Sequence, residues 1–191
     1  FVDFNTISPG ANDNLTGTYA AVCALRMLDM AGIDFENTEV CAMITDGEEA
    51  GLRGCKQWAK DHYDEYVNSG VETVVLCVDT LADLEYLRVY NKDMTGTVKN
   101  NQQFSQLVMD SAKDSGHNDL EFSSVYFGSS DAAAFSQAGI TATCLAAMDP
   151  KPADYYHNRR DTAERLVPEA IKTGFDVIIS TILNFDEKGL N

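Results

Sequence analysis

Residues Asp46-Gly47-Glu48-Glu49 set two carboxylates side by side directly after an apolar run, Val40 to Ile44. The run reads as a buried strand, and a helical pattern starts at Leu52. Two adjacent acids at a strand end do not both serve packing. One can hold a metal ion while its neighbour moves a proton, the division of labour that hydrolysis by metal-activated water requires. An Asp-Gly-Glu-Glu on its own is more often a solvated turn, so the weight falls on what accompanies it. Asp3, Asp13, Asp79, Asp131 and His157 also fall at expected strand ends or in nearby loops. Packed around one crevice, so many carboxylates repel one another unless cations neutralise them. Carboxylates with one imidazole suit zinc or a similar divalent ion. Taken singly, Asp79 is a strand-end turn residue, His157 an exposed loop histidine and Tyr156 ordinary packing. Only the joint pattern points to a site.

The elements that must position these residues alternate along the chain. A loop with Ser8-Pro9-Gly10 leads to a helix expected over about 14–31, and a strand is expected over about 39–44. A helix follows over about 52–67, then a largely apolar strand over 71–78 that delivers Asp79. Residues 84–90 alternate like a half-exposed strand, 104–112 read as helix and 121–127 as a further strand. A short helix over 132–137 is ended by Gly139, a strand spans 140–147, and a last helix starts at Pro168 and runs to about 185. Apolar strands alternating with helices imply an α/β fold: a largely parallel, mixed sheet with helices on both faces, three layers in all. In such sheets the chemistry gathers past the carboxyl ends of the strands. Glu48, Glu49 and Asp79 all fall there.

With 191 residues and 45% hydrophobic content, the chain reads as one soluble globular domain over 1–191 with a full core. A net charge of −16 argues against a nucleic-acid partner, which needs a basic face. No run approaches the length of a membrane span. Of the five cysteines, Cys23, Cys41, Cys77 and Cys144 sit in apolar surroundings and read as small buried thiols; their odd number argues for the reduced state. Nothing distinguishes a cytoplasmic from a secreted location.

Five ordered motifs resemble the zinc-dependent aminopeptidases of peptidase family M28, whose relatives include glutaminyl cyclases. They are Pro9-Gly10-Ala11-Asn12-Asp13-Asn14-Leu15-Thr16-Gly17, Asp46-Gly47-Glu48-Glu49-Ala50-Gly51-Leu52-Arg53-Gly54, Asp79 closing its strand, Ser129-Ser130-Asp131 with Phe135 and Gly139-Ile140, and Tyr156-His157 with Asp161-Thr162. The resemblance implies a zinc-exopeptidase fold and a peptide substrate with a free N-terminus. It implies that Asp13 bridges two zinc ions, with a cis Asp13-Asn14 peptide. Glu49 and His157 complete one zinc site and Asp79 belongs to the other. Glu48 is the general base, Tyr156 donates to the oxyanion, Asp161 supports the His157 loop or its imidazole, and Asp131 is structural near the site.

The pattern departs from the family at its start. The family carries a His-x-Asp before the first motif. Asp3 falls at its Asp, so Phe1, which cannot bind zinc, stands at its histidine. The expectation is therefore one zinc or two, and a catalytic domain that is incomplete at its N-terminus. A sheet shortened in this way leaves an open edge that favours homo-oligomers. The first functional reading is a metal-dependent exopeptidase that removes N-terminal residues. The alternatives are a one-zinc acyltransferase of the glutaminyl-cyclase kind and a non-catalytic domain of the same fold.

Overall fold

The two long apolar runs, 71–78 and 140–147, become the centre of the sheet in the computed structural model, which describes residues 2–3 and 6–190. Phe1, and with it the departure at the expected histidine, lies outside the described residues, as does the Asp3 side chain. Two short strands, β1 (Val2–Asp3) and β2 (Thr6–Ile7), pair antiparallel with each other. The main sheet has five strands: β3 (Val74–Asp79), β4 (Leu87–Asp93), β5 (Val98–Lys99), β6 (Phe122–Ser124) and β7 (Thr141–Ala147). β3 and β7 pair in parallel from Val74↔Thr141 to Asp79↔Ala146. β4 then runs antiparallel to β7 and β5 and parallel to β6, so the sheet is mixed.

Side-chain alternation on β3 and β7 divides the core between the two faces of the sheet, as a period of two requires. On one face Val74, Leu76, Val78, Leu145 and Ala147 meet α1 (Gly17–Met30), α3 (Gln102–Asp114) and α5 (Pro168–Lys188). On the other, Val75, Cys77, Ala142, Cys144 and Ala146 meet α2 (Arg53–Tyr66) and α4 (Asp131–Gln137). Helices thus cover both faces and the expected three layers form. No helix among the described residues is long and apolar enough to cross a membrane.

Three local expectations are corrected. Residues 39–44 form no strand: they pair with no described strand, and Ile44 is 56% exposed. An apolar run becomes a strand only where a neighbour accepts its backbone hydrogen bonds. The strand expected from Leu84 begins instead with a 3-10 turn, Leu84–Tyr86, capped by the Asp83 carboxylate accepting from Glu85 N–H. Cys23 and Cys41 are exposed, because Cys23 lies on the outer face of α1 and Cys41 in the unpaired segment; Cys55 and Cys144 are buried. All five thiols are free.

Candidate metal centre

The site is built where loops leave the carboxyl ends of the sheet. Asp13 sits in an irregular helical turn, Ala11–Thr16, that precedes α1, and the Asp13-Asn14 peptide is cis. Side chains of that turn reach across to the end of β3. Asn14 donates to the Val78 carbonyl at 2.9 Å and accepts from Thr80 N–H at 3.2 Å. Thr16 Oγ1 accepts from Leu81 N–H at 3.1 Å, and Asn12 Oδ1 accepts from Ala82 N–H at 3.0 Å. The loop bearing Asp13 is thereby stitched to the segment bearing Asp79. These polar contacts replace backbone pairing that an irregular buried segment cannot make with itself.

The second loop carries Glu48 and Glu49 into α2. It is tightly wound: Gly51 and Leu52 N–H both donate to the Glu48 carbonyl, at 2.9 and 2.7 Å. Gly47 and Gly51 adopt positive φ, 64° and 97°, where side chains are disfavoured. Gly54 packs so closely on Asp46 that a Cβ there would overlap the Asp46 carbonyl oxygen. Thr45 Oγ1 donates to Asp131 Oδ2 at 2.9 Å, tying the start of this loop to α4.

The third loop brings His157, whose own backbone takes φ 54°. Its Nε2 lies 2.9 Å from Glu49 Oε1 and 3.0 Å from Asp13 Oδ2. Among the described residues these three are the one group of metal-ligating side chains whose donor atoms lie within 4.8 Å of one another. Asp161 fastens this loop to the first. Its carboxylate accepts from Asn12 N–H at 2.8 Å and Asp13 N–H at 3.0 Å, and its own N–H donates to the Asn158 carbonyl. Asp161 thus bridges the His157 loop and the Asp13 loop.

Asp79 and Glu48 complete the acidic floor. Asp79 Oδ1 is buried and finds no hydrogen-bond partner among the described residues. Burial first, then the charges of Asp13, Glu48, Asp131 and Glu49, holds the Asp79 carboxyl well above the ordinary range. The same causes, burial followed by Glu49, Asp131 and Asp13, push Glu48 up to about 7. Burial opposes a charge on His157, but hydrogen bonds to Asp13 and Glu49 and their charges outweigh it and bring the imidazolium up to about 9. Without a cation the site thus holds protons. Nε2 has one proton to offer two carboxylates, whereas a cation among the three donors satisfies all of them. One imidazole nitrogen and two carboxylate oxygens, with an orphaned buried carboxylate oxygen on Asp79, form a donor set that fits zinc.

Tyr156 stacks on His157 with ring centroids 3.6 Å apart. Burial and the surrounding carboxylates raise its hydroxyl, which stays protonated. A cleft of about 440 Å³ opens over the site, and Met94, Tyr126, Phe127 and Met148 are among the residues that line it. Met94 and residues 126–129 line it. The sequence reading missed Asn12, Asn14 and Thr16. Their signal was three side chains suited to turn hydrogen bonds spaced two apart around Asp13. It also missed Asp93, a wholly buried carboxylate whose signal was its place just before the Met94-Thr95-Gly96 turn.

A sequence profile of peptidase family M28 matches residues 2–182. No curated protein sequence matches the chain. Among solved structures it is similar to the LapA aminopeptidase of Legionella pneumophila, at 16% identity and a TM-score of 0.76 over 95% of this chain and 48% of that one. It is similar to BSAP, a zinc aminopeptidase from Bacillus subtilis, at 23% identity and a TM-score of 0.67, over 95% of this chain and 43% of that one. An Acidobacteriales bacterium glutaminyl cyclase superposes with a TM-score of 0.68 at 16% identity, over 94% of this chain and 63% of that one. The chain spans about half the length of the aminopeptidase structures it matches.

Proposed function

The chain belongs to peptidase family M28, and on that premise we propose that it carries the catalytic centre of a zinc-dependent aminopeptidase. The observation that carries the reading is the convergence of Asp13, Glu49 and His157 on one point, with Glu48 lining the same cleft. Asp13, Glu49 and His157 would hold one zinc ion, and Asp79 would serve a second, bridged by Asp13. Zinc bound there supplies a water acidified toward neutral pH and a Lewis acid for the scissile carbonyl. Glu48 takes a proton from water in the cleft onto its carboxylate and returns it to the departing amine. The Tyr156 hydroxyl donates to the oxygen on which negative charge develops. The acidic floor attracts the free ammonium group of a peptide N-terminus.

Glu48→Gln tests this reading, since it keeps the shape and removes the proton acceptor. It is expected to lower hydrolysis of aminoacyl 4-nitroanilides by about 10²-fold or more while zinc binding persists. Hydrolysis at the wild-type rate would remove the mechanism. A one-zinc acyltransferase is the second reading. It is favoured by the three-donor set, which is complete for a single ion with an open position. Conversion of an N-terminal glutaminyl peptide to pyroglutamate, without release of amino acids, would select it.

A further inference from the structure

Two loops from different strands line the cleft together with the acidic floor. The turn 94–97 joins β4 to β5, and the segment 125–130 joins β6 to α4. The turn is held in an unfavourable conformation, with Met94 at φ 46°, Thr95 at 57° and Gly96 at 80°. Two successive non-glycine residues in the left-handed region persist only where their surroundings over-determine them. Asp93 does so. It is fully buried, and Oδ1 accepts from Met94 N–H at 2.8 Å and from Ser130 N–H at 3.0 Å. Oδ2 accepts the hydroxyl of Ser130, itself buried. No lysine, arginine or histidine pairs with Asp93 among the described ion pairs, so these donors are what holds the carboxylate. Around it, Thr95 N–H donates to the Val125 carbonyl at 3.0 Å and Thr95 Oγ1 to the Tyr126 carbonyl at 3.3 Å.

We infer that Asp93 is a positioning residue that fastens the turn 94–97 and the loop 125–130 into one rigid substrate-facing wall. Asp93 is not among the residues that line the cleft. It acts through Met94, Tyr126 and Phe127, which line the cleft. The inference rests on the proposed function for the words "substrate-facing", but the fastening itself does not. Removing the pin therefore loosens both loops together, weakens substrate binding, and leaves the Asp13, Glu49 and His157 cluster as it was.

The test uses the full chain with Ser130→Ala, which removes one donor to Asp93 and leaves the carboxylate two backbone donors, and Ser130→Thr, which restores a hydroxyl. Amide hydrogen exchange followed by mass spectrometry reads the loops with or without turnover. In Ser130→Ala both the 94–97 and 125–130 amides are expected to exchange about tenfold faster, with 11–17 and 47–52 unchanged and Ser130→Thr close to wild type. Zinc affinity stays within about twofold, and for aminoacyl 4-nitroanilides KM rises while kcat holds. Faster exchange confined to 125–130, or a fall in zinc affinity alongside it, would overturn the inference. If the wild-type chain neither binds zinc nor turns over, the proposed function fails, and the exchange result still decides the role of Asp93.

Discussion

At the scale of single residues, the site is a balance between carboxylate repulsion and whatever positive charge sits among them. Asp161 shows how much of that balance depends on positioning. It is 1% exposed, makes no ion pair among the described contacts, and accepts two backbone N–H groups of the Asp13 turn. Asp161→Asn replaces one acceptor oxygen with an NH2 group facing an N–H donor. The Asp13 turn then loses one of its two bonds to the Asp161 side chain, while Ala11 N–H still donates to the Asp161 carbonyl. Zinc affinity is expected to fall by about 10–100-fold, as with other supports of metal ligands, while the chain remains folded by circular dichroism. Unchanged zinc affinity would mean that the remaining bonds of the turn, those of Asn12, Asn14 and Thr16 among them, hold it without the second carboxylate oxygen.

At the scale of elements, what was legible in the sequence is what local physics decides. The runs that become β3 and β7 are apolar on both faces, and both faces are covered, so they read correctly to within a few residues. The run 40–44 is likewise apolar and forms no strand, because strand formation needs a partner that composition does not show. The acids Asp13, Glu48, Glu49 and Asp79 stood out in the sequence by their places at expected strand ends and in ordered motifs, and the fold brings them to one cleft. The stitches around them were not: Asn12, Asn14 and Thr16 bond to residues 64 to 70 positions away. Asp161 bonds to Asn12 and Asp13 across 149 and 148 positions. No local spacing carries such information. Glycines did carry some. Gly54 allows α2 to begin against the Asp46 carbonyl, and Gly54→Ala forces that backbone apart. The expected cost is about 1–3 kcal/mol of stability by denaturant titration. Zinc affinity should fall with it, since Glu48 and Glu49 share the displaced loop. A variant as stable as wild type would show that the close approach is dispensable.

At the scale of the whole molecule, the acidic floor makes stability depend on pH in a way that a cation should reverse. Glu48 rises from 4.5 to about 7 on folding, Asp79 rises also, and His157 rises from 6.5 to about 9. A group whose pKa is raised by folding stabilises fully below its unfolded value and loses that contribution as pH climbs through the folded one. For Glu48 and His157 together the loss spans about pH 5 to 9. The Tm of the metal-free chain should therefore fall by several degrees across that range. Zinc should restore most of it at the alkaline end, because the ion replaces the protons and binds only the folded chain. A metal-free Tm that is flat or rises over this range would contradict the electrostatic account of the site. The net charge of −16 acts in the same direction only weakly there, since most exposed carboxylates are already ionised.

The central claim is that Asp13, Glu49 and His157 form a zinc site in this chain. Zinc titration against a chromophoric chelator, on the wild-type chain and on His157→Ala, tests it most directly. The account predicts at least one tightly bound zinc per wild-type chain and loss of that ion in His157→Ala, with the variant still folded. No zinc above background in the wild-type chain, or equal binding by both chains, would contradict it.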